Sequence, residues 1–319
     1  MKRLLLIVVC SLMLFSCQPE SQPPAFLDGR ILFLGDSITQ DGRYVSMIEY
    51  ELFKRYPSAK VDLISIGLSS ETVSGLTEPN HAYPRPNVHD RLDRALEAVQ
   101  PQTVFACYGM NDGIYHPQSE ERFTAYQEGI NRLINKVQSA GAQLILLTPP
   151  MFDATVISEK VVDAEAPRFG YATPYIGYND VLADYAEWLL SLEQSEIRVC
   201  DLNGPMLEYT RKARQEHPGF SFSDDGVHPQ WAGHALMALQ TLQCIGVPVE
   251  DVNPETYAEQ VQTHELFQLV HERRRMRSMA WLVDIGFQKP GDYEALPVET
   301  AEVKADSLKN EILSKVQPK

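Results

Sequence analysis

Apolar residues follow two alternating patterns along most of this chain. Short and nearly continuous apolar runs predict five buried strands, at 30–35, 60–67, 103–108, 143–148 and 197–201. Between them, apolar residues recur at the spacing of one helix face. That spacing predicts helices at 44–56, 88–99, 120–139, 178–192 and 231–243. The chain is therefore expected to alternate strand and helix over most of its length.

Alternation of this kind predicts an α/β fold with one parallel sheet. Strands that are apolar on both faces are typical of parallel sheets covered by helices on each side. Right-handed crossovers then give a three-layer α/β/α sandwich with five parallel strands. Ligands bind beyond the carboxyl ends of such strands. Ser37, Gly67 and Asn111 each follow one of the first three strands, so we expect them at one edge of the sheet.

The C-terminal region has a different pattern. Residues 254–286 are expected to be mostly helical, and they include the basic run Arg273-Arg274-Arg275, which is typical of a solvated helix face. Residues beyond Gly291 are expected to form a polar, acidic tail. We therefore predict a main domain over 30–248, followed by a helical extension and tail over 249–319.

The first residues resemble an export signal. Lys2 and Arg3 precede an apolar run that ends at Phe15, and this run is shorter than the ~20 residues needed to span a bilayer. The segment Leu14-Phe15-Ser16-Cys17 resembles a bacterial lipobox. It predicts a lipoprotein signal peptide at 1–16, lipidation of Cys17, and a tether over 17–29. The protein would then be exported and held by lipid in the bacterial cell envelope; the alternative is an ordinary secretion signal with an incidental cysteine.

Charge and cysteine content exclude several classes of function. The formal net charge of −15 argues against a nucleic-acid partner, because phosphate contacts need Lys and Arg. No Cys or His spacing fits a metal site. Cys107 and Cys200 end apolar runs and are expected to be buried as small apolar residues. One disulfide among Cys107, Cys200 and Cys244 is left open.

Two separated segments could together form a nucleophile and its base. Gly35-Asp36-Ser37 follows the first strand, although alone this tripeptide is more typical of a helix N-cap. In Asp225-Gly226-Val227-His228, the carboxylate could hold one imidazole nitrogen while the other accepts a proton from Ser37. Asp224 is an alternative orienting group. His217 and His234 are weaker candidates for the base.

A third segment could stabilise a developing oxyanion. Asn111, in Gly109-Met110-Asn111-Asp112 after the third strand, carries an uncharged amide donor. Gly67 can offer a bare backbone N–H to the same place.

Together these segments resemble the SGNH hydrolase superfamily, also called GDSL esterases, over roughly 30–245. The resemblance implies a flavodoxin-like sheet, with Ser37 as nucleophile, His228 as base and Asp225 as its orienting group. It implies an oxyanion hole made of the Ser37 and Gly67 N–H groups and the Asn111 side chain. The chain departs from many members at Ile66, where they have Asn. No metal or organic cofactor is needed for this chemistry.

The segments 67–75 and 108–115 resemble a bacterial subgroup of the superfamily. Members of that subgroup are often associated with carbohydrate-degrading machinery, and this resemblance makes a sugar O-acetyl ester the favoured substrate. The alternatives are a lipolytic esterase or thioesterase, and a non-catalytic surface lipoprotein that binds glycans. The long loops 68–87 and 150–177 are expected at the functional edge. Four residues of the neighbouring loops are candidates for substrate contact, although a structural role is more typical of each: Glu71, Arg85, Tyr115 and His116.

Overall fold

The computed structural model describes residues 22–194, 196–291 and 293–316. Its centre is a sheet of five strands in the order β2-β1-β3-β4-β5, and every neighbouring pair is parallel. The strands are β1 Arg30–Gly35, β2 Asp62–Ser65, β3 Thr103–Cys107, β4 Gln143–Leu147 and β5 Ile197–Cys200. The predicted α/β class and five-stranded parallel sheet are confirmed. The predicted signal peptide and Cys17 lie outside the described residues.

Helices surround the sheet. They are α1 Ser37–Asp41, α2 Arg43–Arg55, α3 Leu92–Val99, α4 Glu120–Ser139, α5 Tyr178–Leu190, α6 Asn203–Glu216, α7 Trp231–Cys244, α8 Pro254–Thr263, α9 Glu265–Ile285 and α10 Val298–Val316. The strand interiors are almost fully buried, as expected for a sheet with helices on both faces. Within the described residues, no helix combines the length and apolar character needed to cross a membrane.

The C-terminal extension packs on the main domain. Helix α9 lies against α2 and β2, and α10 lies against α9. Ala301, Ala305 and Ile312 of α10 are fully buried. The prediction of a polar tail is therefore wrong for most of this segment. A few small and apolar side chains at helical spacing pack the segment against the rest of the protein.

The basic run on α9 is a second correction. Arg273, Arg274 and Arg277 are almost fully buried, whereas Arg275 is exposed. Arg273 pairs with the buried Glu49, and Arg277 pairs with Asp62 and Glu302. The solvated-face interpretation fails because distant segments supply these carboxylates, which sequence spacing does not reveal.

A disulfide joins Cys200 at the end of β5 to Cys244 at the end of α7. Cys107 is buried and unpaired, as expected. The interpretation of Cys200 as a small apolar residue is corrected, because it is buried as a half-cystine.

Candidate active site

Ser37 begins the short helix that directly follows β1. The preceding residue, Asp36, is the N-cap of α1, and its Oδ1 accepts a hydrogen bond from the Ile38 backbone N–H at 2.9 Å. The capping role suggested by the tripeptide therefore belongs to Asp36. The Ser37 hydroxyl is left free to contact another part of the chain.

That contact is His228. Ser37 Oγ lies 2.8 Å from His228 Nε2, and His228 Nδ1 lies 2.7 Å from Asp225 Oδ2. The other carboxylate oxygen of Asp225 accepts the backbone N–H groups of Val227 and His228 at 2.9 and 2.8 Å, and the Ser223 hydroxyl at 3.0 Å. The carboxylate is thus fixed on one side while it orients the imidazole on the other.

The turn that carries Asp225 and His228 is anchored to the loop after β4. Gly226 has a positive φ of 80°, and its carbonyl accepts the Asp153 backbone N–H at 2.9 Å. A side chain at Gly226 would come within 2.8 Å of the Asp153 carbonyl oxygen. The glycine therefore permits the close approach that holds this turn in place.

The other candidates for base and orienting group have different positions. Asp224 is exposed, and Asp225 is the residue hydrogen-bonded to His228. His234 is buried in α7, with Nε2 3.3 Å from Asp41 Oδ1. His217 is the C-cap of α6.

Electrostatics within the Asp225–His228 pair favour the ionised carboxylate and a basic imidazole. Burial raises the pKa of Asp225, but the hydrogen bonds from His228 and from the backbone outweigh it and hold that pKa well below its usual range. Burial also opposes protonation of His228, yet the hydrogen bond and charge of Asp225 outweigh burial and raise the pKa of His228. Both shifts have the direction expected of a mutually stabilised pair.

Two backbone donors belong to residues that line one cavity, Ser37 and Gly67. The Ser37 and Gly67 N–H groups have no hydrogen-bond acceptor among the described residues. Gly67 packs directly against α1, because a side chain there would overlap the Gln40 backbone nitrogen and the Thr39 carbonyl carbon. The missing side chain thus lets β2 approach the helix that carries Ser37.

Asn111 follows β3 and is almost completely buried. Its Nδ2 donates to the Glu71 carbonyl at 3.2 Å, and its Oδ1 accepts the Tyr115 hydroxyl at 3.1 Å. The structure therefore fixes this amide at the predicted sheet edge, although one amide hydrogen is already engaged.

The loop residues considered for substrate contact are mostly engaged within the protein. Glu71 forms a buried ion pair with Arg91, and Arg85 forms one with Glu78. Tyr115 is buried against Asn111. These contacts support the structural interpretation of Glu71, Arg85 and Tyr115. His116, half-buried, packs its ring near Phe169.

A cavity of about 550 Å³ opens beside Ser37. Its lining includes Ser37, Gly67 and His228 of the main domain, and α9 forms another wall of the cavity. The α9 residues are His271, Arg274, Arg275, Ser278, Met279 and Leu282. Sequence reasoning missed this wall, because only the packing of α9 brings the basic run to Ser37. A larger groove of about 880 Å³ between α3 and α4 is lined by no histidine.

The described residues contain no group of three or more His, Cys, Asp or Glu side chains placed to hold a metal ion. The arrangement at Ser37 instead combines a hydroxyl, a base, an oriented carboxylate and free backbone donors. These are the groups that acyl transfer requires.

Comparison with known proteins agrees with this chemistry. The sequence model of the GDSL-like lipase/acylhydrolase family matches residues 33–236, more than half of the chain. No curated protein matches the sequence.

Solved structures share the fold at low sequence identity. A gut microbial diltiazem-metabolizing enzyme is 21% identical, with a TM-score of 0.53 over 71% of this chain and 49% of its own. A catalytic mutant of an acetylxylan esterase from Geobacillus stearothermophilus is 20% identical, with a TM-score of 0.50 over 70% and 97% of the two chains. A protein assigned as a GDSL-like lipase from Parabacteroides merdae is 19% identical, with a TM-score of 0.50 over 69% and 97%. This chain spans about half the length of the diltiazem-metabolizing enzyme.

Proposed function

This chain belongs to the GDSL-like lipase/acylhydrolase family and is a carboxylic ester hydrolase, and we propose that Ser37 is its nucleophile, with His228 as base and Asp225 as orienting group. The observation that carries the proposal is the continuous contact from Ser37 Oγ to His228 Nε2 at 2.8 Å and from His228 Nδ1 to Asp225 Oδ2 at 2.7 Å.

The proposed reaction has two steps. His228 takes the hydroxyl proton as Ser37 Oγ attacks the ester carbonyl, and the resulting imidazolium is stabilised by Asp225. The oxyanion is held by the Ser37 and Gly67 N–H groups and by the Asn111 amide. One such donor contributes about 2.7–4 kcal/mol in the transition state. His228 then protonates the leaving alcohol, and water hydrolyses the acyl-enzyme.

The substrate class we propose is O-acetylated carbohydrate. Most of the residues that line the cavity beside Ser37 have polar side chains; the others are Ile38, Gly67, Pro229, Met279 and Leu282. A lining of this composition suits a short acyl group on a hydroxylated alcohol better than a long acyl chain. The acetylxylan esterase from Geobacillus stearothermophilus has a related fold, in keeping with such a substrate.

Replacing Ser37 tests the proposal. Ser37→Ala is expected to abolish release of p-nitrophenol from its acetate, whereas Ser139→Ala, in an exposed position at the end of α4, should retain full activity. Circular dichroism verifies that both variants are folded. Acetate release from a panel of acetylated polysaccharides then tests the substrate class. Cleavage of long-chain esters alone would reject a carbohydrate substrate, and glycan binding without any hydrolysis would reject the enzyme mechanism.

We also propose that the protein is exported and anchored by a lipid on Cys17. The basic and apolar start of the sequence supports this location. The Cys200–Cys244 disulfide supports it independently, because such bonds persist in oxidising compartments outside the cytoplasm. Cys17→Ser is expected to move the protein from the membrane fraction to the soluble fraction, whereas Cys107→Ala should leave it in the membrane fraction. Finding the wild-type protein in the soluble fraction would contradict the anchor.

A further inference from the structure

The cavity beside Ser37 is positively charged, although the whole chain has a formal net charge of −15. Its lining includes Arg43, Arg274 and Arg275, and Asp41 is the one carboxylate that the described residues place there. Burial lowers the pKa of His234 to about 3 and that of His271 to about 4, so these two cavity histidines are neutral at pH 7. Three guanidinium groups therefore face one carboxylate.

Two of the three arginines are engaged within the protein. Arg43 donates from Nε to Asp41 Oδ1 at 2.8 Å, and its guanidinium lies over the Trp231 ring. The buried Arg274 donates to the Ser46 hydroxyl at 2.9 Å and to the Asp41 carbonyl at 2.6 Å. These acceptors of Arg274 are uncharged, and Arg274 forms no ion pair with any described residue.

Arg275 differs from both. Its side chain is exposed and lines the cavity, and it forms no hydrogen bond or ion pair with any described residue. One helical turn later, Ser278 lines the same cavity, and its buried hydroxyl also has no partner in the described part of the chain. Residues three apart on a helix lie on one face, so Arg275 and Ser278 share the cavity side of α9. The Ser278 hydroxyl is buried, so of these two groups only the Arg275 guanidinium is open to a ligand. A guanidinium fork without a protein partner is suited to a carboxylate or a sulfate.

We propose that the ester substrate carries an anionic group, and that Arg275 binds this group while Ser37 attacks the acetyl carbonyl. The substrate is then an O-acetylated acidic sugar, with a uronate carboxylate or a sulfate as the anion. This inference rests on the proposed esterase function and adds the charge of the substrate to it. Helix α9 lies outside the residues matched by the family model, so the binding group belongs to the extension of this chain.

Arg275→Gln removes the charge and keeps a polar side chain of similar length. Arg132→Gln is the matched control, because Arg132 is also an exposed helical arginine without an ion pair among the described residues, and it lies outside this cavity. Each variant is assayed on acetylated xylo-oligosaccharides that are neutral, that carry a uronate, or that carry a sulfate.

Wild type is expected to prefer the acidic substrates. The ratio of kcat/KM for acidic over neutral substrate should fall about tenfold in Arg275→Gln, mainly through KM, since a charged hydrogen bond is lost from a partly solvated site. Arg132→Gln should keep the wild-type ratio, and Arg275→Lys should recover part of it. An unchanged ratio in Arg275→Gln would overturn the proposal. The uronate and sulfate substrates distinguish the two anions.

Failure of the esterase mechanism would be visible separately. If no ester is hydrolysed, or if Ser37→Ala keeps its activity on the neutral substrate, the proposed function is wrong. Calorimetric binding of the deacetylated acidic oligosaccharide still tests Arg275 in that case. Tighter binding to wild type than to Arg275→Gln supports the inference, and equal affinity contradicts it.

Discussion

A serine hydroxyl is a weak nucleophile until a neighbouring base accepts its proton. We propose His228 as that base, since its Nε2 contacts Ser37 Oγ while its Nδ1 contacts the Asp225 carboxylate. The same carboxylate raises the pKa of His228 despite its burial. The basicity of His228 therefore depends on a residue three positions away in the same turn.

The raised pKa gives a prediction for the pH dependence of activity. Only neutral His228 can take the Ser37 proton, and a raised pKa keeps the imidazole protonated to higher pH. We expect kcat/KM for p-nitrophenyl acetate to increase with pH through an apparent pKa above the ordinary histidine value of about 6.5. Asp225→Asn should shift this value downward and reduce the rate. A wild-type midpoint clearly below 6 would contradict the assigned pair.

Single residues also show what sequence alone can predict about the site. Asp225 and His228 are three residues apart on one turn, and Ser37 follows a strand at the sheet edge, so their approach follows from local spacing and topology. The tertiary packing of α9 places Arg275 in the cavity, and no spacing in the sequence indicates it. The engagement of Asn111 by Glu71 likewise depends on a loop whose course the sequence does not define.

Among the structural elements, the five strands and the helices with broad apolar faces were predictable. Apolar residues recur in these elements at regular spacing, because the elements are buried between the layers of the sandwich. Helix α6 buries only Asn203, Met206 and Thr210, and α10 buries mainly small residues. Such weak patterns explain why the sequence did not indicate either helix.

The docking of α9 on the main domain gives a prediction about stability. Arg273 and Glu49 are each 1% exposed and pair across the α2–α9 contact. Neutralising Glu49 leaves the buried Arg273 with only the more distant carboxylate of Asp62, 3.9 Å away, so Glu49→Gln is expected to lower the free energy of unfolding by about 3 kcal/mol. Urea denaturation measures the change. Glu208→Gln, in an exposed pair with Arg211, is the control and should unfold like wild type.

At the scale of the whole molecule, a covalent bond and a packed extension complete the fold. Cys200–Cys244 ties the edge strand β5 to the last helix of the main domain, while α9 covers the side of β2 and α10 packs on α9. The extension also completes the cavity beside Ser37. Helix α9 thus packs on the main domain and also lines the cavity, although it lies beyond the residues that the family model matches.

The disulfide closes a segment of 44 residues, which restricts the unfolded chain. Chain-entropy estimates for a loop of this length give about 4 kcal/mol, and native bonds usually contribute about 2–4 kcal/mol. Reduced protein should therefore unfold at lower urea concentration than oxidised protein. Identical midpoints would show that the bond does not form or does not stabilise the fold.

Covalent labelling of the nucleophile tests the central claim most directly. A fluorophosphonate probe, which reacts with activated serines, is incubated with wild-type protein and with Ser37→Ala, and peptide mass spectrometry locates the label. We expect one label per wild-type chain on Ser37 and none on Ser37→Ala. A label on another serine, or a wild-type protein that stays unlabelled while it hydrolyses esters, would contradict the assignment of Ser37.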